Sequence, residues 1–307
     1  MRPTVVAAAV AAIVAAVVVA SAAGRTQEPP PLPDADAFSS AVRENLARAE
    51  RTAYLFVFKE RRTDVHTNPF GRVGTDGSSL FEVYPSANRR LTYRRLIDRN
   101  GVPIPADDLA EQDREYRERV ADMQRDLSRE DADEQRRREV DAESARERGE
   151  RRIADVVGTL QFNVEGRTTY EDVPAIVVSF TPRADARPET REGRLAQRFA
   201  GTIWIHEADA EVMRVEATSI DSLSFGFGLL ARLGEGTEAT LTRRAIEPDL
   251  WMPTQLTLKG RGRAALFLRS LVVDFAINWF DYERLEGDSA TPFLDTRIER
   301  EAGAGPE

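Results

Sequence analysis

Alternation of apolar and polar residues in the second half of the chain constrains the fold most strongly. In the segment 211–219, Val215 and Ala217 alternate with Arg214 and Glu216. A period of two residues predicts a β-strand with one buried face and one solvated face. From residue 201 onward, such strand candidates follow one another with turn-length connections. This succession predicts an antiparallel meander rather than a βαβ repeat.

Further strand candidates occur on both sides of a charged central segment. They are Tyr54–Phe58, Leu80–Tyr84, Leu91–Ile97, Gln161–Thr168, Ala175–Pro182, Gly201–His206, and alternating runs around Leu256–Lys259 and Val273–Trp279. The dipeptide Asn100-Gly101 is typical of a tight hairpin turn. One segment among the later strands, Phe225–Leu233, is predicted to be a short helix. It would either pack in the core or serve as a lid over an apolar cavity.

The first 23 residues have the composition of a secretory signal peptide. Arg2 precedes an uninterrupted apolar run from Val5 to Ala20, and small residues follow that run. We therefore predict a signal peptide over residues 1–23 that is cleaved, and a periplasmic or otherwise exported mature protein. An uncleaved membrane anchor is the alternative, although the run is short for a span of about 20 residues.

The rest of the chain is predicted to form one domain between two irregular segments. Residues 24–36 are rich in proline and form an extended linker. An amphipathic helix follows, which Asp34 or Asp36 would cap. The domain spans residues 37–286, and the polar residues 287–307 form a flexible tail.

A strongly charged segment, residues 105–154, interrupts the strands. From Asp107 to Arg152 it carries 17 acidic residues and 12 arginines and contains no proline. Leu109, Tyr116 and Val120 keep a helical spacing, so we predict a long helical insertion that is packed at its ends and solvated in the middle. A coiled-coil dimer is the alternative, but the heptads are brief.

Composition excludes several kinds of chemistry. The 307 residues include no cysteine and only two histidines, His66 and His206, so thiol chemistry and a multi-histidine metal site are excluded. The net charge of −9 disfavours sequence-independent binding of nucleic acid. No Gly-x-Ser-x-Gly elbow or phosphate-binding loop is present. We therefore predict no catalytic residues, no cofactor and no metal, and a protein that is not an enzyme.

Two consecutive strand motifs resemble a known family. The segment Gly201–His206 reads GTIWIH, the segment Ala208–Ala217 reads ADAEVMRVEA, and Leu250–Pro253 reads LWMP before a long strand. Together with the signal peptide and the N-terminal helix, these motifs resemble exported LolA-like, or outer-membrane lipoprotein-sorting-like, proteins. The resemblance covers roughly residues 38–104 and 155–284. It implies an α+β fold in which an incomplete antiparallel β-barrel curls around helices.

The same resemblance implies an apolar cavity that binds lipid or lipoprotein acyl chains. Residues of alternate strand positions would line it, because they face the interior of such a barrel. The candidates are Phe56, Phe58, Phe81, Val83, Ile203, Ile205, Val215, Phe225, Phe227, Leu256, Leu258, Phe275 and Ile277. The alternative function is an envelope protein-interaction or stress-sensing module that contacts a partner protein through residues 105–154.

Overall fold

The computed structural model describes residues 32–66, 77–86, 91–129, 136, 140, 149, 151–225, 231–264 and 269–285. These residues fall into two compact units. The larger unit takes residues from 1–49, 64–75 and 141–276, and the smaller unit takes residues from 50–63, 76–140 and 277–307. The predicted signal peptide and the predicted tail lie outside the described residues.

Helices and strands follow one another in a mixed order along the first part of the chain. They are α1 (Ala35–Thr52), a 3-10 turn (Ala53–Leu55), β1 (Phe56–His66), β2 (Gly77–Tyr84), β3 (Tyr93–Arg99), β4 (Val102–Pro103), α2 (Ala106–Arg129) and α3 (151–159). The second part is almost entirely strand. Its elements are β5 (Leu160–Tyr170), β6 (Val173–Pro182), α4 (Arg191–Ala196), β7 (Phe199–His206), β8 (Val212–Ser219), β9 (Leu223–Phe225), β10 (Ala231–Leu233), β11 (Glu238–Glu247), β12 (Leu250–Ala264) and β13 (Arg269–Arg284).

The strands form the open antiparallel sheet that the alternation predicted. Their hydrogen-bonded order is β4-β3-β2-β1-β13-β12-β11-β8-β7-β6-β5, with β10 paired to both β12 and β9. Within the described strands this order has two ends, β4 and β5, so the sheet is not closed. The mostly antiparallel sheet with a few helices is consistent with the incomplete barrel expected from the resemblance.

Helix α1 begins as the sequence indicates. The Asp34 carboxylate accepts a hydrogen bond from the Ala37 backbone N–H at 2.9 Å, which confirms one of the two predicted caps. The apolar side of the helix is buried at Val42 and Ala49. Asn45 lies on the same side and donates from its amide to the backbone carbonyls of Asp209 and Ala210.

The prediction of a short helix over Phe225–Leu233 is wrong at both of its described ends. Phe225 ends strand β9, and the residues from Ala231 belong to β10. These two strands pair antiparallel, with Leu223 opposite Leu233 and Phe225 opposite Ala231. Leu223 and Leu233 are both buried, and an apolar cross-strand pair favours a hairpin over a helix that contains two glycines.

Helix α2 confirms the first part of the predicted charged helix. It runs from Ala106 to Arg129, with Tyr116 buried and Leu109 and Val120 partly buried. Residues 136, 140 and 149 are helical, as is α3, but most positions between 130 and 150 lie outside the described residues. One continuous helical insertion over 105–154 therefore stays a prediction.

A buried ionic network holds α2 in the smaller unit. Arg95 on β3 donates from Nη1 to Glu82 at 3.2 Å and from Nε to Asp113 of α2 at 3.1 Å. The Tyr93 hydroxyl donates to the same Asp113 carboxylate at 2.7 Å, and the Tyr93 ring stacks on Tyr116 with centroids 4.5 Å apart. Burial, followed by this hydrogen bond, holds the pKa of Tyr93 above its ordinary value.

Candidate functional site

Most of the predicted cavity-lining residues are buried. Those below one-tenth exposure are Phe56, Val83, Ile203, Ile205, Val215, Leu256, Leu258 and Ile277. Phe58, Phe81 and Phe275 are partly buried. Phe225 lies on β9, and Phe227 lies outside the described residues. Their role as cavity lining stays a prediction, because burial is equally expected of a filled core.

In the larger unit, several of these residues form one apolar row across neighbouring strands. Strand register places Val178 opposite Ile203, Ile203 opposite Val215, and Val215 opposite Leu241, which faces Leu256. Val178, Ile203 and Val215 are fully buried at 0% exposure. The row therefore belongs to the packed core of this unit.

Gly201 shows how tightly the neighbouring row is packed. A Cβ atom at this position would lie 1.9 Å from the Glu216 carbonyl oxygen and 2.8 Å from the Phe180 ring. Strands β7 and β8 approach closely there because glycine has no Cβ atom. The Phe180 ring of β6 occupies the space that a side chain would need. Any larger residue at this position would have to displace backbone.

In the smaller unit, two predicted lining residues contact charged side chains. The Arg284 guanidinium lies 4.7 Å from the centroid of the Phe56 ring, and Arg62 lies 5.4 Å from that of Phe81. Phe58 packs against Tyr282 with ring centroids 5.2 Å apart. These rings have cation–π and aromatic neighbours within their own unit.

A pocket of about 260 Å³ opens elsewhere in the larger unit. Its apolar lining consists of Tyr170, Val173, Met213, Ala245 and Trp251. Three charged residues complete it: Glu171, Arg243 and Arg244. None of the residues predicted to line a cavity lies among them. A largely apolar concave surface with a few polar groups is the usual composition of a small-ligand site.

One hairpin turn and several register shifts between paired strands bring the pocket residues together. Tyr170 and Val173 are paired across a two-residue hairpin loop between β5 and β6. Met213 lies at a register shift where β7 pairs with β8. Arg243 and Ala245 each adjoin a register shift between β11 and β12. Because a bulge redirects side chains, the pocket collects residues that a regular ladder would separate.

Trp251 and its neighbours form an aromatic group beside the pocket. The His206 and Trp251 ring centroids are 5.7 Å apart, and those of Tyr170 and Trp204 are 6.0 Å apart. His206 Nδ1 accepts the backbone N–H of Asp209 at 3.0 Å. This hydrogen bond closes the turn between β7 and β8.

Arg243 fixes one wall of the pocket from the buried side. It is 4% exposed and donates from Nη2 to the Trp251 carbonyl at 2.6 Å. Its Nη1 donates to Glu211 at 3.0 Å and to the Val212 carbonyl at 3.3 Å. One guanidinium thus links the start of β8 to the start of β12, and the position of Trp251 depends on it.

Glu211 is the buried acid of this cluster. Its other oxygen, Oε1, lies 3.7 Å from Arg48 Nη2 on α1, which is beyond hydrogen-bond range. Burial raises the pKa of Glu211 above its ordinary value of 4.5, although Arg243 and Arg48 act in the opposite direction. The carboxyl group is therefore more easily protonated than an exposed glutamate.

A surface ion pair joins two of the charged lining residues. Arg244 Nη2 lies 2.9 Å from Glu171 Oε2, and the two side chains are 58% and 44% exposed. Glu171 and Asp172 form the β5–β6 loop with φ values of 49° and 64°. Positive φ at both central residues is typical of a type I′ turn, which holds Glu171 next to Arg244.

The sequence carried only partial signals for this pocket. Trp251 belongs to the segment Leu250–Pro253 that supported the resemblance, but nothing in the sequence assigned its side chain to a pocket. Arg243 and Arg244 are two arginines in an arginine-rich chain, and their carboxylate partners, Glu211 and Glu171, lie 32 and 73 residues away in sequence. Among the described residues, no group of three histidine, cysteine, aspartate or glutamate side chains is placed to hold a metal ion.

Comparison with known proteins gives two similar solved structures. One is an outer-membrane lipoprotein-sorting protein domain from Vibrio parahaemolyticus, with 10% identity, coverage of 85% of this chain and 97% of that chain, and a TM-score of 0.29. The other is a DUF1329 family protein from Desulfovibrio piger, with 11% identity, coverage of 84% and 99%, and a TM-score of 0.25. No protein-family model and no curated protein sequence matches the chain.

Proposed function

We propose that this protein is an exported, non-enzymatic binding protein that holds the apolar part of a lipid or of a lipoprotein acyl chain. The observation that carries the proposal is the pocket beside Trp251, in which Val173 and Met213 supply apolar surface next to two arginines. Export is supported by the signal-peptide pattern of residues 1–23. Among the described helices, none is long and apolar enough to span a membrane.

The energetics of such binding come from removing methylene groups from water. Each buried methylene contributes about 0.8 kcal/mol, so five contribute about 4 kcal/mol and ten about 8 kcal/mol. These values correspond to dissociation constants of about 1 mM and 1 μM before the costs of ordering the ligand. A pocket of about 260 Å³ lies slightly below the usual range for drug-sized ligands, so it would enclose part of a chain.

Lipid binding can be tested on the chain that starts at residue 24. The purified protein is extracted for mass spectrometry, and uptake of a fluorescent fatty acid is measured for wild type and for Ala245→Phe. The alanine is exposed and lines the pocket, so a phenylalanine there occupies the space without replacing a core residue. Thr218→Phe, at an exposed position on β8, is the matched control.

We expect the wild type and Thr218→Phe to take up the fatty acid and Ala245→Phe to lose most of the uptake. Both variants should keep the wild-type melting temperature to within a few degrees. If the wild type carries no lipid and takes up no fatty acid, the proposal is wrong. Equal uptake by all three proteins would place the ligand outside this pocket.

The second candidate function is a contact between residues 105–154 and an envelope protein. It is favoured by α2, whose inner side supplies Asp113 and Tyr116 to the core, while most of its other residues are exposed and many of these are charged. Deleting the whole segment would remove those core contacts. Charge reversal at Arg114 and Glu118, both exposed, therefore tests the contact better. A pull-down partner that is lost from this variant supports the candidate, and a partner that is kept contradicts it.

A further inference from the structure

The charges at the pocket indicate which kind of amphiphile it would accept. Its lining carries two guanidiniums, Arg243 and Arg244, against one carboxylate, Glu171. Arg243 is fixed by Glu211 and by two backbone carbonyls. Arg244 differs, because it is largely exposed and its partner Glu171 is exposed as well. The cation at the surface is therefore the one that a ligand can reach.

The Arg244–Glu171 pair is an exchangeable contact. Solvent-exposed ion pairs contribute only about 0–1 kcal/mol, since each charge remains hydrated. A ligand anion that is already held by its apolar chain can therefore replace Glu171 at little cost. A cationic head group would instead be repelled by Arg243 and Arg244, and Glu171 is the one carboxylate of the pocket lining that could pair with it.

We propose that the pocket binds a single-chain amphiphile with an anionic head group. The chain packs against Val173, Met213 and Trp251, and the head pairs with Arg244 in place of Glu171. This inference rests on the proposed function, because it assigns a ligand class to the same pocket. The volume of about 260 Å³ favours one chain over the several chains of a lipoprotein.

The experiment uses three probes with the same ten-carbon chain: decanoate, 1-decanol and decyltrimethylammonium. Acetate is the head group without a chain. Binding to the chain that starts at residue 24 is measured by calorimetry, with the two ionic amphiphiles below their critical micelle concentrations and decanol below its solubility limit. The proteins are wild type, Arg244→Gln, Glu171→Gln and, as matched control, Arg261→Gln, which replaces an exposed arginine on β12 outside the pocket.

We expect decanoate to bind the wild type about two- to fivefold more tightly than decanol, as one partly exposed charge pair allows. Arg244→Gln should abolish this preference, whereas Glu171→Gln should increase it about two- to fivefold because the competing carboxylate is gone. Both substitutions should change decanol binding less than decanoate binding, and Arg261→Gln, outside the pocket, should behave as wild type. Higher salt should weaken the binding of decanoate but not of decanol.

Four results would overturn the inference, and together they separate its failure from that of the proposed function. Equal affinity for decanoate and decanol, or tighter binding of the ammonium probe, would refute the anionic head while leaving apolar binding intact. Acetate binding as tight as that of decanoate would show an anion site without a chain. No binding of any ten-carbon probe would refute both proposals.

Discussion

Each of the two units buries an arginine among acidic partners, but in different ways. In the smaller unit, Arg95 is shared by two buried carboxylates, Glu82 and Asp113. In the larger unit, Arg243 has one buried carboxylate, Glu211, and otherwise bonds to backbone carbonyls. Tyr84 and Tyr93 donate hydrogen bonds to the two carboxylates that hold Arg95, whereas Arg243 borders a pocket. The comparison indicates that Arg95 holds a helix in place, while Arg243 shapes a surface that a ligand can reach.

The largest expected effect is that of Arg95→Met. The substitution leaves Glu82 and Asp113 buried without their shared cation, and removing one partner of a buried ion pair costs about 3–5 kcal/mol. Denaturant unfolding with hydrogen exchange resolved by peptide should show the loss in the smaller unit first. Arg114→Met, at an exposed arginine of α2 that pairs with Glu111, should cost less than about 1 kcal/mol. Equal decreases in the free energy of unfolding for both variants would contradict the distinction between the buried Arg95 and the exposed Arg114.

Arg243→Met should destabilise the larger unit by less, about 2–3 kcal/mol at neutral pH, as expected for charge-assisted hydrogen bonds. Only one carboxylate loses its partner, and the pKa of that group, Glu211, is already raised by burial, so it can take up a proton. The loss should also weaken fatty-acid binding, because Arg243 holds the Trp251 carbonyl. Unchanged binding by a folded Arg243→Met protein would contradict its role in shaping the pocket.

The pH dependence of stability should reveal Glu211 itself. Because its folded-state pKa lies above 4.5, the folded protein binds this proton more tightly than the unfolded chain does. Ionisation of the Glu211 carboxyl group therefore lowers the free energy of unfolding as the pH rises from 4.5 through the folded-state pKa. Glu211→Gln removes that contribution, so the free energy of unfolding of the variant, relative to wild type, should rise over this pH window by about 1.4 kcal/mol for each unit by which the pKa is raised. A difference independent of pH over this window would contradict the raised pKa.

The smallest effect concerns the hairpin loop that carries Glu171. Asp172 has φ of 64°, a conformation that glycine adopts more readily than aspartate does. Asp172→Gly should therefore stabilise the larger unit by up to about 1 kcal/mol, as is usual for a type I′ turn residue. Thermal unfolding measures this gain, and decanoate binding should remain unchanged because Glu171 is retained. A loss of stability would show that contacts of the Asp172 side chain stabilise the loop by more than its positive φ destabilises it.

Much of the fold was predictable from local patterns in the sequence. Alternation gave the strands around Val215 and Leu256, the Asn100-Gly101 dipeptide gave a hairpin, and Asp34 gave the start of α1. The short helix over Phe225–Leu233 was wrong, because the pairing of Leu223 with Leu233 across strands is a contact that local spacing does not show.

The candidate site was far less predictable. The pocket depends on register shifts near Met213 and Arg243, and a bulge leaves no distinctive pattern in a single sequence. The partners of Arg243 and Arg95 likewise lie many residues away along the chain. Composition alone does not distinguish these buried arginines from the many exposed ones.

Quenching of Trp251 fluorescence by a chain-brominated decanoate tests whether an acyl chain binds beside Trp251. Replacing Trp204 and Trp279 by phenylalanine leaves Trp251 as the only tryptophan of the chain. We expect saturable quenching in this background, and we expect the quenching to be lost when Ala245→Phe is added. Quenching that rises linearly without saturation, or that persists in the Ala245→Phe background, would contradict an acyl-chain site beside Trp251.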